Sequence, residues 1–170
     1  MFREMRRKRQ LLSEEASSRI LFGQTSGVLA VEGDDGYPYA VPLSYVYDGK
    51  ALYFHCAKAG HKLDAIRRNP KASFCVIAQD EIVPEEYTTY FRSVIAFGTV
   101  REIEDEEEKR KAIELLAEKY APKDTPEGRK AAIDRDWAPL CMLKMTVEHM
   151  TGKESIELVK RQQESLEKQA

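Results

Sequence analysis

One segment in the first half of the chain, Tyr53 to Leu63 (YFHCAKAGHKL), combines residue types that suit binding of a phosphate group. Gly60 frees the backbone just before a predicted helix, whose first N–H groups lack partners and carry partial positive charge. His61 and Lys62 add donor or cationic side chains at the same end. The segment therefore predicts a phosphate monoester site. The alternative is a basic surface helix that binds no ligand. It stays open because the chain contains no glycine-rich phosphate-loop motif that would exclude it.

His55 lies in the strand that precedes this turn and has two interpretations. It is either a half-buried, hydrogen-bonded structural residue or a proton donor, since a histidine titrates near pH ~6.5. Strand alternation sends His55 and its neighbour Cys56 to opposite faces, so the two do not share a metal. No G-x-S-x-G motif supports a hydrolase of the nucleophile-elbow type.

The pattern of elements around this segment predicts a mainly β protein with flanking helices. Asp48-Gly49 is typical of a two-residue hairpin, and most of the strands are short and separated by turn formers. The pattern favours an antiparallel six-stranded barrel with helical covers over alternating βαβ units. The six predicted strands are Gly27–Val31, Tyr39–Tyr47, Ala51–Ala57, Ala72–Ala78, Phe91–Ile103 and Cys141–Met150.

Several residues make this assignment more specific. Pro42 inside the second strand predicts an edge position or a bulge, and Gly98 predicts a bulge in the fifth. The polar stretch from Gln79 to Tyr90 is predicted to be a loop. We expect helices after Ser13, at Lys62–Arg68, at Glu106–Tyr120, and from Thr125-Pro126 to near Trp137.

Composition limits the class of protein. The chain has 170 residues with 27 basic and 29 acidic side chains, which argues against a dedicated nucleic-acid binder. Three cysteines without a C-x-x-C motif suggest free thiols in a reducing compartment. The sequence shows no apolar run that would span a membrane and no secretory signal. We therefore expect a cytoplasmic protein with one domain at 1–152 and a polar helical tail at 153–170.

The first ten residues, MFREMRRKRQ, carry five basic side chains. A solvated basic surface is one interpretation of this stretch. The other is an arm that folds over an anionic ligand, in the same chain or on a partner subunit.

Six motifs in order, MRRKRQ, YPYAVPLSY, YFHCAKAGHK, FRSVIAFG, WAPLCM and EHMTGKE, resemble the FMN-binding split-barrel proteins, which include pyridoxamine 5'-phosphate oxidase. Within this group the chain most resembles the Nim-type 5-nitroimidazole-resistance flavoproteins. The resemblance extends over nearly the whole chain, and it is the order of the motifs that makes it specific.

The resemblance implies a homodimer with FMN at the subunit interface. His61 and Lys62 would hold the phosphate. The isoalloxazine edge would lie against Pro42, Leu43, Ser44 and Tyr45, with Phe54 and His55 in the neighbouring strand and Ser93 reaching it from a third. Ordinary core packing is the alternative for Tyr45 and Phe54.

The resemblance also implies an FMN-dependent oxidoreductase that reduces nitroaromatics such as 5-nitroimidazoles, with His55 on the substrate side. Two other functions stay open, a flavin carrier without turnover and an oxidase of a vitamin B6 phosphate. The absence of a second basic cluster near the C-terminus speaks against the oxidase.

Overall fold

A computed structural model describes residues 1–168, which form one antiparallel sheet flanked by helices. The strand order is β2-β1-β5-β6-β7-β4-β3. The strands are β1 (Ser26–Glu32), β2 (Pro38–Ser44), β3 (Val46–Tyr47), β4 (Ala51–Ala57), β5 (Lys71–Val83), β6 (Thr88–Glu102) and β7 (Leu140–Glu154). The helices are α1 (Glu14–Gly23), α2 (His61–Arg68), α3 (Glu106–Tyr120), α4 (Pro126–Arg135) and α5 (Ile156–Glu167).

The prediction of six strands is wrong, because the expected strand Tyr39–Tyr47 is two strands. Tyr45 separates β2 from β3: its side chain is fully buried, and its backbone N–H donates to the Tyr120 hydroxyl at 2.9 Å. A backbone group engaged in this way cannot continue the ladder. The two end strands of the sheet, β2 and β3, are not joined by a ladder within residues 1–168, so closure of the barrel stays a prediction.

The predicted loop from Gln79 to Tyr90 is also wrong. This stretch is the far part of the β5–β6 hairpin, which turns through Pro84–Glu86 and a left-handed Tyr87 with φ 51°. The hairpin tip projects beyond the core, and most of its residues are exposed. Neither face there needs apolar residues, so the alternation that marks a half-buried strand is missing.

Two single-residue predictions about the strands are confirmed. Pro42 lies in an edge strand, β2, whose only ladder partner in the described part of the chain is β1. At Gly98 the β6–β7 register shifts by one residue, and a Cβ at this position would overlap the carbonyl oxygen of Thr146. Gly98 therefore permits a close backbone approach at a bulge.

The core lies on the inner face of the curled sheet, and helices cover only part of the outer face. Strands as distant in the order as β2 and β4 pack against the same cluster, for example through Leu43 and Phe54. On the outer side of β4, Ala51 and Tyr53 pack against Leu116 of α3. This confirms that the two sides of β4 alternate as predicted.

The C-terminal part of the described chain contains the end of β7 and the helix α5. The predicted boundary at 152/153 lies inside β7, which continues to Glu154, and α5 follows from Ile156. No helix in the described part of the chain is long and apolar enough to cross a bilayer.

Candidate functional site

The N-terminus of α2 leaves backbone donors free, as the sequence predicted. Gly60 has a φ of +133°, which places it in the region that favours glycine, and no side chain of the described residues caps the helix. Its carbonyl accepts from the N–H groups of Leu63 and Asp64. The N–H groups of His61 and Lys62 make no hydrogen bond within residues 1–168. Two adjacent donors at the positive end of a helix suit an anion.

The side chains around this helix end differ in whether they already contact other side chains. Asp34 lies 3.3 Å from His61 Nε2 and 2.7 Å from Arg68, so this carboxylate engages both side chains. The His61 ring also packs on Tyr39, with ring centroids 4.1 Å apart. Lys62 makes no ion pair within the described residues. Lys62 and the two backbone donors are therefore the strongest part of the predicted phosphate site.

Two thiols lie next to this region. Cys56 on β4 is directly opposite Cys141 on β7. Burial raises the pKa of the Cys56 thiol, which the positive charge of Lys62 offsets only in part. Burial also raises the pKa of Cys141, to about 12. Both thiols are thus protonated at neutral pH and poor nucleophiles. Within the described part of the chain no three His, Cys, Asp or Glu side chains are grouped for a metal.

Strand β2 presents some of its predicted flavin contacts and buries others. Pro42 and Ser44 are exposed on the outer side of the sheet, whereas Leu43 packs towards the core. The Tyr45 and Phe54 side chains are fully buried and both lie against the ring of Phe74. Core packing accounts for these two aromatic side chains.

The remaining predicted residues lie far apart in one chain. Ser93 is half-buried on the outer side of β6, and Lys153 of β7 is its ladder partner. His55 is exposed on β4, opposite Met142 near the other end of β7. Eleven residues of extended strand span about 36 Å. A single chain therefore does not bring His55 and Ser93 to one small ligand.

The outer face of β1, β2, β5 and β6 carries an apolar row. Pro42, Val28, Cys75 and Ile95 are successive ladder partners across these four strands. Val28 and Ile95 are 36% and 38% exposed, and Ile77 on the same side is 62% exposed. We call this set of five residues the apolar row.

Sequence reasoning missed Tyr120, which holds Tyr45 in place. The Tyr120 hydroxyl accepts from the Tyr45 N–H and lies within hydrogen-bond reach of the carbonyls of Tyr45, at 3.1 Å, and Thr25. The preceding Lys119 donates to the Gln24 carbonyl at 2.5 Å. These contacts tie the end of α3 to the starts of β1 and β3. No local pattern could reveal them, because Tyr120 and Tyr45 are 75 positions apart in the chain.

Substitution Tyr120→Phe removes the hydroxyl and keeps the ring. We expect the free energy of unfolding to fall by about 1 kcal/mol, since the Tyr45 N–H loses its partner at a half-buried site. Urea denaturation measures the change. Tyr37→Phe is the matched control, because Tyr37 is 76% exposed and should tolerate the loss. Equal stability of the two variants would contradict the structural role of Tyr120.

Solved structures of several differently described proteins share the fold of this chain. The chain shares 23% identity with a candidate 5-nitroimidazole antibiotic resistance protein from Bacteroides thetaiotaomicron, with a TM-score of 0.69 over 85% of this chain and 86% of that one. A conserved hypothetical protein from Mycobacterium tuberculosis gives 21% identity and a TM-score of 0.77, covering 91% and 92%. A FAD-binding protein from Mesorhizobium loti shares 24% identity with a TM-score of 0.64, over 86% of this chain and 97% of that one.

At these identities the likeness to solved structures shows the fold alone. A search among curated proteins finds no significant match. The family model described as pyridoxamine 5'-phosphate oxidase matches residues 13–154, which include all seven strands. The chain therefore belongs to the pyridoxamine 5'-phosphate oxidase family.

Proposed function

We propose that this protein is an FMN-dependent oxidoreductase, a homodimer that reduces nitroaromatic compounds of the 5-nitroimidazole type. The observation that carries the proposal is the N-terminus of α2, where free backbone donors and Lys62 converge in a chain of this family. A FAD-binding protein and a candidate 5-nitroimidazole resistance protein share the fold, which supports both the cofactor class and the substrate class.

The residues at α2 fit the phosphate of a flavin nucleotide. A phosphate monoester accepts several hydrogen bonds and needs at least one fixed cation. The N–H groups of His61 and Lys62 supply donors, and the Lys62 ammonium supplies the charge. His61 joins them when the phosphate competes with Asp34 for its ring. We assign FMN on the family resemblance, because its phosphate is a monoester.

A dimer is the arrangement that would complete the site. Contiguous exposed apolar surface is typical of an interaction site. The apolar row is such a surface, because it lies on the side of β1 and β2 that faces away from the core. A second copy packed on this row would bury it. It would also let Ser93 of one chain approach a ligand held at Lys62 of the other.

The bound FMN would supply the electron transfer, and the protein would supply binding, orientation and access. Pro42 and Ser44 line the exposed edge of β2 and would border the isoalloxazine. His55 is exposed on β4, the strand whose outer side α3 covers in part, and would give a proton to a substrate. We infer reduction towards the amine from the family resemblance.

Oxidation of a vitamin B6 phosphate is the second candidate, and the family description is the observation that favours it. Such a substrate carries its own phosphate and needs a second anion site besides the one at α2. Assays with pyridoxamine 5'-phosphate and with a nitroimidazole, run on the same flavin-loaded protein, separate the two functions. A protein that binds FMN and turns over neither substrate is a flavin carrier.

Replacement of Lys62 by Glu tests the phosphate assignment. A carboxylate beside the phosphate should weaken FMN binding by at least about a hundredfold, since it removes an attraction and adds a repulsion. Quenching of flavin fluorescence measures the affinity. Lys50→Glu makes the same charge change in the exposed β3–β4 turn and should bind FMN normally. Unchanged affinity of the Lys62 variant would show that the phosphate binds elsewhere.

Replacement of Ile95 by Lys tests the dimer. A charge in the middle of the apolar row should convert a dimer into a monomer, because its desolvation disfavours association. Light scattering after size-exclusion chromatography measures the mass. Leu115→Lys on α3 is the matched control, since Leu115 is also 38% exposed but lies off the row. A dimer that persists in the Ile95 variant would exclude this face as the interface.

Replacement of His55 by Gln tests the catalytic role. The exposed ring makes no hydrogen bond within residues 1–168, so its loss should leave folding and the bound flavin unchanged. Loss of the proton donor should slow anaerobic reduction of a nitroimidazole by about a hundredfold. If the flavin is lost instead, His55 belongs to the binding site.

A further inference from the structure

The N-terminal arm, residues 1–10, carries a charge that the proposed flavin site does not use. Its five basic side chains have one carboxylate partner within the described residues, the exposed ion pair between Lys8 and Glu4 at 2.9 Å. Arg6, Arg7 and Arg9 make no ion pair in this part of the structure. Three neighbouring guanidinium groups without counter-charge repel one another, so an anion would stabilise the arm.

The arm is held in a defined shape despite this charge. Its last turn, Lys8–Gln10, is a 3-10 turn, and the following residues Leu11 and Leu12 pair with the end of β7. Gln10 is only 5% exposed, and its buried side-chain oxygen Oε1 has no hydrogen-bond partner among residues 1–168. A buried acceptor without a donor is costly, and a ligand that carries a donor would satisfy it.

Two cavities meet at Lys8. One, of about 390 Å³, is lined by Arg6, Arg7, Arg9 and Gln10 together with Ile156 of α5. The other, of about 340 Å³, is more apolar. Its lining includes Phe2, Met5, Leu11, His149 and Thr151. The arm thus places a basic cavity and an aromatic cavity side by side, with one lysine common to both.

The aromatic cavity has a surface on which a planar ring can stack. Phe2 lies against His149, with ring centroids 4.7 Å apart and planes 12° apart, and Phe2 stays 43% exposed. A heterocyclic base stacks well on such a ring. Phosphates suit the guanidinium groups next to it, because each guanidinium can bind two oxygens at once.

We infer that the arm binds a nucleoside diphosphate group, with the diphosphate among Arg6, Arg7 and Arg9 and the base against Phe2. The ribose lies between them, where a hydroxyl donates to the Gln10 oxygen. This site is separate from the α2 site and does not rest on the proposed function. Two kinds of molecule that carry such a group, FAD and a reduced nicotinamide dinucleotide, suit an oxidoreductase, and only this choice of source rests on the proposed function.

Calorimetric titration of the purified full chain with ADP and with inorganic pyrophosphate at low ionic strength tests this inference. We expect ADP to bind more tightly than pyrophosphate. The double variant Arg6→Ala/Arg7→Ala should lose about tenfold or more in affinity for both ligands. Lys50→Ala/Lys123→Ala is the matched control, since it removes two exposed positive charges elsewhere and should change affinity less than twofold. Phe2→Ala should weaken ADP binding and leave pyrophosphate binding unchanged.

Absence of ADP binding to the unaltered chain would overturn the inference. Equal losses of ligand affinity in the two double variants would also overturn it, because they would mean nonspecific attraction of anions to the positive charge of the protein. An unchanged ADP affinity in Phe2→Ala would overturn it as well. The source of the group follows from two further titrations of Arg6→Ala/Arg7→Ala. A loss for FAD but not FMN assigns the group to the cofactor, and a loss for NADH on FMN-loaded protein assigns it to the electron donor. ADP binding in a chain that takes up no flavin would leave the arm site standing and overturn only the proposed function.

Discussion

Burial of Tyr45 is the interaction on which most of this structure depends. Its ring packs against Phe74 at 4.9 Å, and Phe74 in turn contacts Phe54 at 5.0 Å, so the β2–β3 junction and the two strands β4 and β5 share one aromatic cluster. The sheet curls because β2 and β4 must both reach this cluster. The same burial separates the strands β2 and β3. It also leaves the backbone N–H of Tyr45 in need of a hydrogen-bond partner outside the ladder.

The end of α3 meets that need and thereby connects the core to the candidate site. Tyr120 binds the Tyr45 backbone, and the ammonium of Lys119 lies 4.3 Å from the centre of the Tyr45 ring. Burial lowers the pKa of Lys119, which also donates to a backbone carbonyl. Tyr45, the residue next to Ser44, is therefore held through both its backbone and its ring. A rigid support of this kind keeps an exposed strand edge in the geometry that ligand binding requires.

Charge is distributed unevenly over two regions of the molecule. At α2, the carboxylate of Asp34 contacts the His61 ring and offsets part of the positive charge of Arg68, whereas Lys62 makes no ion pair within residues 1–168. On the N-terminal arm, most of the basic side chains lack such an acidic neighbour. The near-neutral net charge of the chain is therefore compatible with two locally cationic regions. Net charge alone does not predict the second of them.

Much of the fold and part of the site could be predicted because their signals are local. The Asp48-Gly49 turn, the strand alternation in β4, the edge position of Pro42 and the bulge at Gly98 follow from the steric and hydrogen-bonding properties of single residues. Gly60 before a helix with free N–H groups is equally local. The solvated β5–β6 hairpin tip was missed because its two exposed faces leave no alternating pattern.

The mainly β antiparallel class, the family and the uncapped helix start after Gly60 could be predicted from the sequence alone, since each has its signal in residue types and short motifs. Only the tertiary structure decided which predicted ligand contacts are core residues. It buried Tyr45 and Phe54, kept Pro42 and Ser44 exposed, and separated His55 from Ser93 along β7. It also revealed Tyr120 and the paired cavities of the arm. These features arise from contacts between residues far apart in the chain, for which a single sequence carries no local signal.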